Sequence, residues 1–267
     1  MDIFRAQAFA DKVVFVAGGS SGINLAIAQR FSELGARIGL ISRSADRVQH
    51  AVSSLVDAGG TAMGKAADVR NYDDVAEAIA NVHAAYGAID IVISGAAGNF
   101  LASAINLSAN AFRTVVEIDL IGTFNVLRAS FDHLRKPGAS LISITAGLAT
   151  RPVMFQAHAS AAKAGVSNLT ATLAMEWGPA GVRVNAISPG PIGDTEGMAR
   201  LAPSAEATAQ LKARIPLRDY GTKRDIADTA VFLCSDNAKY ITGAIIECDG
   251  GSILGDSSGD ALTAMRR

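Results

Sequence analysis

Cysteine is scarce in this chain of 267 residues, which holds only Cys234 and Cys248. Two isolated cysteines make neither a disulfide framework nor a metal-ligand spacing, so they read as core packing in a reducing compartment, and no metal site is expected. An excess of either charge is also missing: 24 Lys and Arg stand against 25 Asp and Glu. That balance removes the electrostatic case for a nucleic-acid or anionic-membrane partner. No apolar run approaches the roughly 18 residues of a membrane span. The start, MDIFRAQAFADK, has no apolar segment of signal-peptide length, and the end, Ala264-Met265-Arg266-Arg267, is not a Ser-Lys-Leu tripeptide. The expectation is a cytoplasmic protein. Internal repeats, low-complexity tracts and linkers are lacking as well, so one domain over 1–267 is expected. Only 255–267, small, polar and Gly-rich, reads as a flexible tail or one ordered by a neighbouring subunit.

What is present is a 49% hydrophobic content, enough for a full core, arranged in a repeating pattern. Short β-branched runs alternate with Ala-rich stretches of helical period, the pattern of an α/β protein with a parallel sheet and helical crossovers. Seven strands are predicted: Val13 to Ala17, Ile38 to Ser42, Ala62 to Val69, Ile89 to Ser94, Leu141 to Thr145, Arg183 to Ser188 and Ala244 to Asp249. Asn71, three residues before Asp74, predicts a helix start for Val75 to Ala85.

The first strand runs into Gly18-Gly19-Ser20-Ser21-Gly22-Ile23-Asn24 and then a helical stretch. Such a turn lets backbone N–H groups reach a pyrophosphate at the positive end of the helix, with Gly18, Ser20, Ser21, Gly22 and Ile23 as the contacts. The second strand ends Ser42-Arg43-Ser44 with no acidic residue to take a ribose 2′-hydroxyl. Arg43 there either holds a 2′-phosphate, with Ser42 or Ser44 adding a hydroxyl, or is a solvated surface arginine. The first alternative selects NADPH over NADH. Asp68, followed by Val69, either contacts the adenine or caps the next helix.

With Gly18 to Gly22, Asp68, Lys163 and Ser188-Pro189-Gly190-Pro191-Ile192 in order, the chain resembles the classical short-chain dehydrogenase/reductase family over nearly its whole length. More narrowly, Ala96-Ala97-Gly98-Asn99-Phe100-Leu101, Ile118-Asp119-x-x-Gly122, Glu176-Trp177-Gly178-Pro179 and Pro191-Ile192-x-x-Thr195-Glu196-Gly197 are similar to the 2,4-dienoyl-CoA reductases, the peroxisomal type above all. The resemblance implies a single Rossmann-type doubly wound sheet of about seven strands with helices on both faces. It implies NADPH as cofactor, a homotetramer, and reduction of a 2,4-dienoyl-CoA thioester to a 3-enoyl-CoA.

Against the wider family the chain departs at four places. The catalytic tyrosine four residues before Lys163 is Ala159, and the serine thirteen before that tyrosine is Ala146. Asn24 replaces the last glycine of the fingerprint, and Ser94-Gly95 stands where an Asn usually braces the central strand. No tyrosine lies between Tyr86 and Tyr220. The peroxisomal branch also lacks that tyrosine, and by resemblance Asp119 supplies the proton through water, although a polar-core or helix-surface role is the plain alternative. Resemblance also assigns the thioester carbonyl to Asn99 and the nicotinamide ribose to Lys163. The wall around the carboxamide falls to Pro189, Gly190, Ile192 and Thr195, and acyl-CoA contacts to Arg70, Asn99, Phe100, Ser108 and Arg200. His158 has no assigned role. Two other readings compete: a reductase of a different conjugated or carbonyl substrate, and a catalytically silent NAD(P)-binding subunit.

Overall fold

A computed structural model describes residues 4–259; most of the tail predicted to be flexible, 260–267, lies outside the described residues. The chain lays down β1 (Val13–Ala17), α1 (Gly22–Glu33), β2 (Arg37–Ser42), α2 (Ala45–Asp57), β3 (Thr61–Ala66), α3 (Tyr72–Tyr86) and β4 (Ile91–Ser94). There follow α4 (Ala109–Val116), α5 (Gly122–Ser130), β5 (Ser140–Ile144), α6 (Ala157–Trp177), β6 (Arg183–Pro189), α7 (Glu196–Leu201), α8 (Ala205–Arg214), α9 (Lys223–Cys234) and β7 (Ile245–Cys248). The strands form one parallel sheet in the order β3-β2-β1-β4-β5-β6-β7.

Successive side chains of a strand point to opposite faces, and β1 shows the result. Val14 and Val16 enter a core with Ile27 and Phe31 of α1 and Ile226 and Val231 of α9. Val13 and Phe15 enter a second core on the other face with Val75 and Ile79 of α3, Val126 and Leu127 of α5 and Leu173 of α6. Because both faces are covered, the strands are continuous apolar runs instead of alternating ones. Emptying either core is costly: Phe31→Ala, at a fully buried site, would remove about 3–5 kcal/mol.

Asn71 caps α3 as predicted, its side chain accepting from the backbone N–H of Asp73 and Asp74. Most predicted strand limits hold to within one residue, and two move further. The third strand stops at Ala66, because Asp68 turns the chain: its carboxylate accepts from the N–H of Arg70, and its carbonyl from the N–H of Asn71. The fourth begins at Ile91, after Asp90. The buried Asp90 carboxylate accepts from the N–H of Val13 at 3.0 Å and from Lys12 and Arg135, which compensate its charge.

Two features of this frame position a site. The sheet order reverses between β1 and β4, which opens a crevice beyond the carboxyl ends of those strands. α4 also runs into α5 without a break, through a single π turn at Glu117–Ile121. Such turns shift the face of a helix and cluster at functional sites. Asp119 sits in this one.

Candidate functional site

The crevice is a cleft of about 790 Å³. One end is built from backbone. Gly18 and Gly22 adopt φ of +76° and +59°, values that exclude an ordinary side chain, and a Cβ on Gly18 would stand 2.9 Å from the backbone of Ala96. Ser20, Ser21, Gly22 and Ile23 line the cleft where α1 begins, so the unpaired amides of that helix face it. Ser42, Arg43, Asp68 and Val69 form the next wall. Arg47, one turn into α2, joins them. Pro189, Gly190, Ile192 and Thr195 close the far side. There the Thr195 hydroxyl donates to the Ile192 carbonyl at 2.8 Å and accepts from Met198 N–H, starting α7. This shape and chemistry fit a dinucleotide.

The other end is built from side chains. Asp119 is 1% exposed. One carboxylate oxygen accepts from Gly98 N–H at 2.7 Å, and the other lies 3.4 Å from the Lys163 ammonium. Lys163, 7% exposed, also donates to the Ile144 carbonyl at 2.8 Å. The ammonium therefore sits between the end of β5 and the π turn, with both charges compensated. Ala146 and Ala159 line the same wall; beside the ion pair they offer only methyl groups. Asn99 reaches the cleft on the loop after β4, and its Nδ2 donates to Oε1 of Gln156 at 2.6 Å. His158 is fully buried with its ring 4.4 Å from that of Phe100. Burial holds its pKa below the usual histidine range, against smaller upward pulls from Asp119 and from the main chain of Phe100.

All of the residues expected at the cofactor, and the trio Asn99, Asp119 and Lys163, face this one cleft, as does Arg200. Three expected acyl-CoA contacts are elsewhere. Arg70 does not line the cleft: its guanidinium grips Asp68 through both carboxylate oxygens, at 3.0 and 2.6 Å, and holds that carboxyl below its usual pKa. Ser108 caps α4 by accepting from Ala111 N–H at 3.1 Å. Phe100, partly exposed, packs on His158 instead of facing the cleft. Asp68 is a loop aspartate that holds the turn before α3 and binds Arg70, and it also lines the cleft.

Comparison with known proteins follows this geometry. A family model described as enoyl-(acyl carrier protein) reductase matches residues 17–252. The peroxisomal 2,4-dienoyl-CoA reductase, (3E)-enoyl-CoA-producing, of Rattus norvegicus is 42% identical over 253 residues, 94% of this chain and 86% of that one. A probable 2,4-dienoyl-CoA reductase, (2E)-enoyl-CoA-producing, of Bacillus subtilis is 37% identical over 91% of this chain and 97% of its own. Among solved structures, a short chain dehydrogenase from Bacillus anthracis superposes with a TM-score of 0.84 at 37% identity, covering 93% of this chain and 98% of the other. The chain belongs to the short-chain dehydrogenase/reductase family.

Two of its departures from that family's pattern form one contact in this short-chain dehydrogenase/reductase. Nδ2 of Asn24 donates to the Gly95 carbonyl at 2.8 Å, tying the start of α1 to the end of β4. A Cβ on Gly95 would stand 2.1 Å from Oδ1 of Asn24, so the larger residue at 24 requires the smallest one at 95. Oδ1 itself is buried without a partner among the described residues. Arg47 and Gln156 had no signal in the sequence pattern. Arg47 reaches the cleft from the first turn of α2, and Gln156 meets Asn99 only through the fold.

Proposed function

We propose that this protein is an NADPH-dependent reductase of 2,4-dienoyl-CoA thioesters, forming 3-enoyl-CoA. The observation that carries the reading is the Asp119–Lys163 pair beside Asn99, in a cleft whose wall presents the methyl groups of Ala146 and Ala159 beside that pair.

 Ala146 and Ala159 put no phenol or serine hydroxyl beside the ion pair, so the proton is assigned to a water ordered by Asp119 and Lys163. Relatives named 2,4-dienoyl-CoA reductases at 37–42% identity support the substrate class.

NADPH, held by the turn of Gly18 and Gly22, Lys163 and the wall of Pro189 and Ile192, would supply the hydride that adds to the far end of the diene. The residues do the rest. The Asn99 amide has a second N–H beyond the one given to Gln156, and it donates to the thioester oxygen as charge builds there. Preorganised donors of this kind are worth about 3–4 kcal/mol in a transition state. Asp119, held as an acceptor by Gly98 N–H and Lys163, orients a water that protonates the α-carbon, and the hydroxide so formed takes up a proton from the Lys163 ammonium, which solvent restores. Lys163 binds the nicotinamide ribose and keeps positive charge beside the reacting atoms. Arg43 and Arg47, with no carboxylate at the end of β2, favour the 2′-phosphate of NADPH.

The proposal includes one domain over 1–267, a homotetramer and a cytoplasmic location, the rat relative's peroxisomal name being the contrary pointer. Sedimentation and cell fractionation decide the last two. The decisive experiment mixes purified protein with NADPH and a 2,4-dienoyl-CoA, follows the loss of nicotinamide absorbance, and identifies the product. A 3-enoyl-CoA formed with one NADPH consumed is the expected result. Brisk reduction of acetoacetyl-CoA with no dienoyl activity would overturn it.

A further inference from the structure

We infer that Gln156 is a positioning residue for Asn99, and the inference rests on the function proposed above. Asn99 stands on a loop with no regular structure between β4 and Ser103, so its amide has no helix or strand to aim it. Contacts with other elements supply that aim. Gly98 N–H donates to Asp119, Asn99 donates to Gln156, the Phe100 ring lies against His158, and Ala102 N–H donates to the Phe155 carbonyl at 2.9 Å. Three of the four come from residues 155–158, where α6 begins.

Gln156 occupies the N-cap position of α6, where a side-chain oxygen ordinarily accepts from the first turn of its own helix. It makes no capping bond. Its Oε1 accepts from Asn99 instead, at 2.6 Å, from a side chain only 7% exposed. An acceptor at that point fixes which way the Asn99 amide faces and leaves one N–H over for a substrate oxygen.

The test uses Gln156→Leu, which removes the acceptor, and Gln156→Glu, which keeps an acceptor oxygen whether ionised or protonated. Gln156→Met replaces the leucine variant if that variant does not purify folded. Loss of one hydrogen bond of ordinary net worth corresponds to about a five- to tenfold change in rate. The expected result is a fall of that size in kcat with 2,4-dienoyl-CoA, NADPH affinity unchanged within about twofold on the same physical scale, and most of the rate restored in Gln156→Glu. In an Asn99→Ala background, Gln156→Leu should cost nothing further, because it acts through the side chain already removed. A second readout needs no turnover: amide deuterium uptake over 96–103 should rise in Gln156→Leu and return toward the parent in Gln156→Glu. An unchanged kcat, or an equal loss in both backgrounds, would overturn the inference while leaving the proposed function standing. If the parent does not reduce dienoyl-CoA, the proposed function fails, and deuterium uptake alone decides on Gln156, with unchanged uptake refuting it.

Discussion

The two ends of the cleft are made of different materials. Around β1, α1 and β2 the surface is mostly main chain, a glycine turn and the amides of a helix start. Around Asp119 side chains dominate, with Asn99, Asp119, Gln156 and Lys163 arriving from the loop after β4, a π turn and the start of α6. A backbone cradle serves any dinucleotide enzyme and survives exchange of the residues around it. A side-chain cluster defines one chemistry, and each member fails differently when removed. The contrast also explains how a tyrosine and a serine could be replaced by Ala159 and Ala146 while the cradle remained.

The sharpest way to break that contrast is within the ion pair. Lys163→Ala should abolish measurable turnover and also weaken NADPH, since the ammonium belongs to both ends. Asp119→Ala should lower kcat by about 10² to 10⁴, the span of general acid catalysis, with NADPH binding nearly unchanged. Steady-state kinetics beside cofactor titration check both variants. If the Asp119 variant lost cofactor affinity as severely as the lysine variant, the two ends would not be separable.

A smaller effect is expected where the cradle itself contains a side chain. Gly95→Ala places a methyl against Oδ1 of Asn24 and should raise the NADPH dissociation constant about tenfold, the effect of roughly 1.4 kcal/mol. Asn24→Gly should relieve most of that loss, giving a coupling energy near 1 kcal/mol in a double-mutant cycle. Additive effects of the two changes would show that the contact does not couple them.

Next comes the choice between cofactors. NADPH should bind more tightly than NADH, and Arg43→Ala should narrow the gap by about tenfold, since a hydrogen bond to a charged group is worth roughly 1.5–3 kcal/mol and Arg47 retains part of the field. Equal dissociation constants in the parent would refute the assignment of Arg43.

The least effect is on stability and concerns His158. Its folded pKa lies below the unfolded value of about 6.5 because burial disfavours the cation. The stability this contributes is present above that value and is lost as pH falls through the folded pKa, because the unfolded chain takes up the proton first. The midpoint of thermal unfolding should therefore fall below about pH 6.5. His158→Leu should flatten that limb, with a remainder from His133, whose pKa burial also lowers. An acid limb of unchanged steepness in the variant would clear His158 of any part in it.

Much of this was written in local sequence. The apolar runs of β1 and β2, the glycine turn between β1 and α1, and the cap at Asn71 each depend on residues within a few positions of one another, and periodicity and turn chemistry report those directly. The run of residues that line the main-chain end of the cleft was legible for the same reason. Strand ends were less so: after β3 the chain turns at Asp68 through a hydrogen bond of its own carboxylate, which no propensity describes. Only the tertiary structure decided that Arg70 binds Asp68 instead of facing the cleft, and that Phe100 turns toward His158. Asn24 and Gly95 are 71 positions apart, and Asn99 and Gln156 are 57 apart. Pairs that distant meet because a parallel sheet brings successive strand ends to one edge, and no local pattern along the chain encodes the meeting.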